Sequence, residues 1–387
     1  MPNLENPIIK FSQAMEYYKK IKSLITPGYK FEPLMTLFLS EETRAIDIYE
    51  GAKSGILKAI KFYPEGVTTN SYGGIKDISK MYNLLEKLPD LNIPLLIHGE
   101  TANSKVDIYD REAYFLEETV YKLRKKIPEL KIVLEHITTK DSVDFILENN
   151  INTAATITAH HLILNRNNLF DEGLRPHFFC RPIAKREKHR IAVRKAATSG
   201  NSKFFLGTDS APHFDHKKES SCGCAGIFSA PNALGYIAQI FEEDSALNNL
   251  ENFVSINGAK FYNLSLNSTL SKFTKFKEAI IYPDKIKVGK ELITNSSRSI
   301  WFCRWLKLSK TLFDDPVNLY SIVHFIEYGL LAFLPKVTSL HVLVFSISWE
   351  IIELTLPYSW ASESLLNKIA DILFNFSGFY FVRFFRQ

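Results

Sequence analysis

Histidine is absent from the N-terminal stretch of this 387-residue chain, the first being His98. Cysteine is scarce as well, at four residues, and two of them, Cys222 and Cys224, flank a single Gly223. So few thiols in a chain of this length cannot form the framework that staples small secreted domains, so a reducing compartment is expected. The chain also lacks a strong charge of either sign. Lys and Arg total 47 against 42 Asp and Glu, a net charge of +5. The densest basic run, Lys185, Arg186, Lys188, His189, Arg190, Arg194 and Lys195, reads as the solvated face of a helix. Nucleic acid is therefore not an expected partner. Met1 to Pro7 holds neither a basic n-region nor an apolar h-region. No signal peptide is expected, and the first part of the chain is assigned to the cytoplasm.

What is present is apolar. Hydrophobic residues make up 46% and charged residues 23%, enough to build a large core and too apolar for disorder. An α/β barrel of roughly 250 residues often stands as one domain, so one barrel plus an extra piece is the expectation. From Phe31 to His213, apolar runs at Leu34 to Leu39, Leu57 to Tyr63, Ile93 to His98, Lys131 to His136, Ala154 to His160 and Lys203 to Thr208 predict strands. Helices are predicted between them over Asp77 to Leu88, Asp110 to Lys126 and Ser142 to Asn149. Continuous rather than alternating runs suit strands covered on both faces. Strand and helix in alternation predict a parallel sheet, and this many repeats favour a closed (β/α) barrel.

Four of these runs end on polar residues: Lys61, His98, His136 and Asp209. One buried His or Lys is more often a satisfied core group than a ligand. Four at equivalent strand ends predict a site at the C-terminal rim of the barrel. Two imidazoles with a carboxylate form a donor set for a divalent metal, zinc by default. An ammonium repels a cation, so Lys61 fits only if carbon dioxide carbamylates it into an anionic oxygen ligand able to bridge two metals. Metal-bound water would then attack an amide carbon, with Asp209 moving the proton to the leaving nitrogen. The chemistry predicted is hydrolysis of an amide or cyclic imide, run in either direction.

The segments Lys61-Phe-Tyr-Pro, Thr68-Thr69-Asn70-Ser71, Ile97-His98-Gly99-Glu100, Glu135-His136-Ile137-Thr138-Thr139-Lys140, Gly207-Thr208-Asp209-Ser210-Ala211-Pro212-His213 and Glu219-Ser220-Ser221-Cys222-Gly223-Cys224-Ala225-Gly226 resemble, in order and spacing, the single-domain bacterial dihydroorotases of the amidohydrolase superfamily. The resemblance runs from Met1 to about Leu264. It implies a (β/α)8 TIM-type barrel and a zinc-dependent, reversible cyclisation of N-carbamoyl-L-aspartate to (S)-dihydroorotate in pyrimidine biosynthesis, by a homodimer with two zinc ions per chain. It further implies that Lys61 is the carbamylated bridge, that His98 and His136 bind the second metal with it, and that Asp209 is the first-metal ligand and general base. Asn3 and His213 match residues that grip the substrate carboxylate, and Ala225 matches a backbone contact to the ring. Thr68 and Thr69 match a loop that closes over the substrate. Arg181 stands where the family has an apolar residue contacting substrate through its backbone, a group any residue keeps. Cys222-Gly223-Cys224 is read as a tight glycine turn rather than a metal pair. His160-His161, at a strand end, are read as satisfied or partly exposed histidines with no metal role.

The family's first strand carries His-x-His-x-Arg, two ligands of the first metal and a partner for the substrate carboxylate; no such segment occurs here. Met1-Pro2-Asn3-Leu4 corresponds to the loop after the second strand. The expectation is a barrel incomplete at its N-terminus, at most one zinc, held by Lys61, His98 and His136, and little or no activity of this chain alone. Two alternatives stand beside it. One is a catalytically inactive, membrane-attached remnant. The other is a related cyclic amidohydrolase such as a hydantoinase, against which the Thr-Thr-Asn-Ser and Glu-Ser-Ser-Cys-Gly-Cys-Ala-Gly segments argue.

Two domains are expected: a barrel over 1–295 and a hydrophobic helical segment over 296–387. The latter has apolar runs at Val317 to Leu334, Ser339 to Leu356 and Ile369 to Phe385, of borderline length for a bilayer. His324, Glu327, Glu350, Glu353 and Asp371 interrupt them, at a cost in lipid. Aromatic density and the flanking Lys307, Lys310, Arg383 and Arg386 set membrane attachment through 299–387, as a transmembrane helix, above a small soluble helical domain. The pattern from His324-Phe-Ile-Glu-Tyr through Trp349-Glu350 and Glu353 to Asp371 weakly resembles VanZ-like small membrane proteins, and no function follows from it.

Overall fold

The computed structural model describes residues 2–29, 31–149, 152–171, 173–276, 285–288, 291–295, 305–308, 325, 327–328, 330–334, 337–353 and 365–386. The chain divides into two compact units, Met1–Thr269 with Lys275–Leu306, and Leu270–Thr274 with Lys307–Gln387.

The first unit is built on six parallel strands: β1 (Met35–Phe38), β2 (Leu57–Phe62), β3 (Leu95–His98), β4 (Ile132–Glu135), β5 (Thr153–Ile157) and β6 (Phe204–Leu206). Each strand pairs with the next in sequence, in the order β1-β2-β3-β4-β5-β6. Every predicted run overlaps one of them. The sheet thus has six strands among the described residues, against the eight of a whole (β/α)8 barrel.

Successive side chains point to opposite faces of a strand, so each strand feeds two layers. Leu37, Ile60, Phe62, Leu95, Ile97, Ile132, Leu134, Ala155, Ile157 and Phe204 pack into the main core with helical residues such as Ile48, Leu85, Leu123, Phe145 and Ile237. Their alternates, Ala59, Leu96, Val133, Ala154 and Phe205, form a separate apolar layer on the other face, with Phe261 and Tyr262 against it. Burial on both faces is why the runs read as continuous rather than alternating. Truncating one of these large core side chains to Ala costs about 2–5 kcal/mol.

Two expectations need correction here. The run from Ala154 to His160 is not one strand: β5 stops at Ile157, and the Thr158 hydroxyl accepts from the His161 N–H, opening a helix over Ala159–Ile163. A threonine with a free hydroxyl is a strong N-cap and overrides the apolar pattern. His160 and His161 are therefore helical, and both are buried. The basic run is not simply solvated either. Lys185 is 2% exposed and His189 is buried. On the helix Glu187–Thr198, Arg190 pairs with Glu187, and Arg194 with Glu243 and Asp244. Long stems carry these charges to carboxylate partners.

In the second unit, the helices Ser339–Glu353 and Leu365–Arg386 bury Val342 and Phe379 with Tyr328 and Ala332, and the Asn375 amide donates to the Ser346 hydroxyl at 3.0 Å. No helix among the described residues is long and apolar enough to cross a membrane, so the expected transmembrane segment finds no support in them. The first helix, at 15 residues, spans about 22 Å, short of the ~30 Å hydrocarbon core. The second has 22 residues but carries Lys368, Asp371, Asn375, Arg383 and Arg386. Val317 to Leu334 lies mostly outside the described residues.

Candidate active site

Two residues beyond the apolar layer of Ala59, Leu96, Val133, Ala154 and Phe205, the same face turns polar: Lys61, His98, Glu135, Thr156 and Gly207. Lys61 is 1% exposed, and its ammonium is ion-paired with the Glu135 carboxylate from β4. Glu135 is also the register partner of His98. His136 follows directly, turned out of the strand by a φ of +45° that non-glycine residues rarely adopt. Its N–H donates to the Thr156 hydroxyl at 2.7 Å, and its ring lies 4.8 Å from that of His98. Gly207 is needed beside this contact, because a Cβ there would come within 2.6 Å of the Thr156 Cβ. Asp209, beyond β6, has a φ of +40°. Two such outliers at one rim are the kind of local strain that functional sites hold.

The charges shape one another. Burial raises the Asp209 carboxyl above the usual carboxylate range and Glu135 adds to the shift, while Lys61 and His98 oppose it. Burial likewise holds His136 well below an ordinary histidine, with His98, Lys61 and His161 adding to the effect. Tyr63, two residues past Lys61, is raised by burial and by Glu135 and Asp209. Burial pushes Glu100 upward, but His98, Lys185 and Arg181 together bring it below the usual range. The Arg181 charge is the smallest of these contributions.

Whether this rim suits a metal can be read from its unsatisfied atoms. His98 Nε2 and His136 Nδ1 are buried without a hydrogen-bond partner, and the Glu100 carboxylate lies 3.5 Å from His98 Nε2. Stranding buried imidazole nitrogens is costly unless something coordinates them. Together with the Glu135 and Asp209 carboxylates, which are charge-coupled to Lys61 and His98, these imidazoles are nitrogen and oxygen donors of the types a divalent ion takes.

The outer residues gather in two groups. The Tyr63 hydroxyl donates to Asn3 Oδ1 at 2.9 Å, and Asn3 Nδ2 donates to the Thr69 carbonyl at 3.1 Å, so Asn3 meets the Thr68-Thr69 loop. The Thr68 N–H is held by Ser71 Oγ at 2.9 Å. On the other side, His213 Nε2 lies 3.0 Å from the Ala225 carbonyl. The Lys218 ammonium donates to the carbonyls of Phe179, Cys224 and Gly226 at 2.9, 2.7 and 2.9 Å, tying the Arg181 segment to that of Ala225. Gly223 has a φ of +59°, in keeping with a glycine turn between Cys222 and Cys224.

Glu135, Tyr63, Thr156, Glu112 and Lys218 were not foreseen. For the first three a signal existed: Tyr63 is two residues from Lys61, Glu135 ends the strand before His136, and period-two counting puts Thr156 on the same face. Glu112 accepts from the backbone N–H groups of Thr138 and Thr139, both at 3.0 Å, and from the Ser142 hydroxyl at 2.6 Å, fixing the turn after His136.

The amidohydrolase family model matches residues 13–270. A dihydroorotase of Agrobacterium fabrum is 48% identical over 294 residues, which cover 76% of this chain and 85% of that protein. A dihydroorotase of a Chelativorans species is 49% identical over the same length and the same shares. Among solved structures, a dihydroorotase from Saccharomyces cerevisiae in complex with 5-fluoroorotic acid matches with a TM-score of 0.72 and 35% identity, covering 80% of this chain and 88% of that one.

Proposed function

The chain belongs to the amidohydrolase family, among its dihydroorotases, and from that premise we propose that Lys61, His98, His136 and Asp209 are the residues that open and close the dihydroorotate ring. The activity is hydrolysis of a cyclic amide. The substrate pair we assign is (S)-dihydroorotate and N-carbamoyl-L-aspartate, within pyrimidine biosynthesis. The observation that carries this reading is the meeting of Lys61 and His98 in one buried layer with the His136 ring against that of His98, a nitrogen of each ring lacking a hydrogen bond, and Asp209 charge-coupled to Lys61 and His98.

Family members are generally metal-dependent, and the ion assigned here is Zn2+, held by His98, His136 and Lys61 as its carbamate, with Asp209 beside them. When bound it supplies a Lewis acid and a water acidified towards neutrality. Carbamylation adds carbon dioxide to Lys61 Nζ with loss of two protons from the ammonium, turning a cation into an anion next to Glu135. Two buried anions side by side are tolerable only with a cation at hand.

Asp209 serves as the general base: its raised carboxyl accepts the proton of the attacking water and returns it to the departing ring nitrogen. Asn3, steadied by Tyr63 and bonded to the Thr69 backbone, and His213 hold the substrate carboxylate. The Ala225 and Arg181 backbones contact the ring, and Thr68 and Thr69 close over it to exclude water. The six strands are assigned to a (β/α)8-type barrel within 1–295, supported by the yeast likeness. A homodimer is the assembly proposed on family grounds, and 296–387 is taken as a separate domain.

Nearly half the aligned residues are shared with curated dihydroorotases, which favours this substrate over hydantoin. The test is ring opening of dihydroorotate by the zinc-loaded full chain, compared with hydantoin at equal concentration. Faster opening of hydantoin would overturn the substrate assignment, and an inert chain would favour the remnant reading.

A further inference from the structure

Beyond the rim, a second group of ligand-type side chains is enclosed between the helix Ala159–Ile163 and the segment Phe179 to Pro182. His160, His161 and Cys180 are all buried, and one ligand atom from each lies within 4.8 Å of the others. Neither ring nitrogen of His160 has a hydrogen-bond partner. A wholly enclosed imidazole with both nitrogens unsatisfied is an unusual thing to bury. His161 is oriented: Nδ1 lies 2.9 Å from the Thr158 hydroxyl, leaving Nε2 facing Cys180 Sγ at 3.4 Å and the Pro182 carbonyl at 3.0 Å. With Zn–S near 2.3 Å and Zn–N near 2.0–2.1 Å, two ligands of a tetrahedral ion stand about 3.6 Å apart. The Cys180 to His161 separation matches that edge. The Pro182 carbonyl can only accept, so in the ion-free protein Nε2–H donates to it and Nδ1 accepts from the Thr158 hydroxyl; a cation would take the place of that Nε2 proton, with Thr158 still fixing the ring as an outer partner.

We propose that His160, His161 and Cys180 bind a borderline-soft divalent cation of the zinc class, at a centre separate from Lys61, His98, His136 and Asp209. On binding, the Cys180 thiol releases its proton to solvent, its sulfur lone pair forms the new bond, and no oxidation state changes. Burial pushes the free thiol up to about 12, so it keeps its proton until a cation displaces it. The bound ion ties the helix after β5 to the segment carrying Arg181.

Cobalt(II) added to the full chain tests this, because thiolate coordination gives a near-ultraviolet sulfur-to-cobalt charge-transfer band that nitrogen and oxygen ligands do not. The expected result is a band in the wild type that is lost in Cys180→Ser and in His160→Gln, and kept in the Cys222→Ser, Cys224→Ser double variant. Should Cys180→Ser fail to fold, His160→Gln reads the same outcome with the thiol intact. No band in the wild type at excess cobalt, or a band that survives His160→Gln or vanishes with Cys222 and Cys224, overturns the proposal.

Discussion

The Tyr63 hydroxyl donates a 2.9 Å hydrogen bond to the side-chain oxygen of Asn3, so the residue two places beyond Lys61, just past the end of β2, sets the orientation of the Asn3 side chain. Asn3 in turn reaches the Thr69 backbone, and the loop of Thr68 and Thr69 depends on the same bond. Tyr63→Phe removes only the hydroxyl and frees Asn3 to turn. KM for dihydroorotate should rise by about 3- to 10-fold, equivalent to roughly 0.7–1.4 kcal/mol, the size of one ordinary hydrogen bond. Steady-state kinetics check this, and a fall in kcat with KM unchanged would instead assign Tyr63 to the chemical step.

Glu112 is 2% exposed and accepts from two backbone N–H groups and from hydroxyls of Thr138, Thr139 and Ser142. Glu112→Gln keeps the shape but replaces one acceptor oxygen with a donor that faces donors. Stability should drop by about 2–4 kcal/mol in urea unfolding. Zinc affinity should fall by about 10-fold or more, since this turn directly follows His136 and fixes its backbone. A variant as stable as wild type would show that the turn holds itself.

The strands and the rim were legible because their signals are local. Each apolar run is continuous enough to mark a doubly covered strand, and Lys61, His98, His136 and Asp209 announce themselves as polar residues where such runs end. What could not be read lies in pairings set by tertiary contact: Glu135 meeting Lys61 across 74 positions, Glu112 meeting Thr138 across 26, and the Lys218 ammonium gathering three carbonyls. His160 and His161 were misjudged because Thr158 ends β5 early and turns the next residues into a buried helix. In the C-terminal part the apolar pattern of Ser339–Glu353 and Leu365–Arg386 gave no hint that Val342 and Phe379 pack against one another.

Acid should unfold the metal-free protein partly through His160 and His161. Burial is the leading cause for both, holding His160 well below its ordinary value and His161 near about 3. Both are depressed in the folded state, so the unfolded chain binds more protons between about pH 6.5 and the folded values. Their stabilisation is therefore complete above about pH 6.5 and is lost as pH falls below it, by about 1.4 kcal/mol per pH unit for each histidine. Urea midpoints at several pH values should show His160→Gln with a slope shallower by one such increment. Parallel slopes would mean that His160 accepts a proton in the fold.

Removing metal should loosen the first unit. Zinc at 100 times its Kd stabilises the protein by about 2.7 kcal/mol, so a chelator should lower Tm and added zinc restore it. His98→Ala should cut the part of that response that depends on the strand-end site. An unchanged zinc response in His98→Ala would place the responding metal elsewhere.

The central claim, that the strand-end residues form a working dihydroorotase site, is tested most directly by ring opening of dihydroorotate with the zinc-loaded full chain and its Asp209→Asn variant. The sequence expectation of little or no activity rested on the missing His-x-His-x-Arg segment. Against it, the account predicts measurable turnover in the wild type from the strand-end residues that remain, and a loss of about 10²–10⁴-fold in kcat on removing the general base, with the fold and zinc content of the variant retained. A zinc-loaded wild type that leaves dihydroorotate intact, or an Asp209→Asn variant that turns over as fast as the wild type, would contradict it.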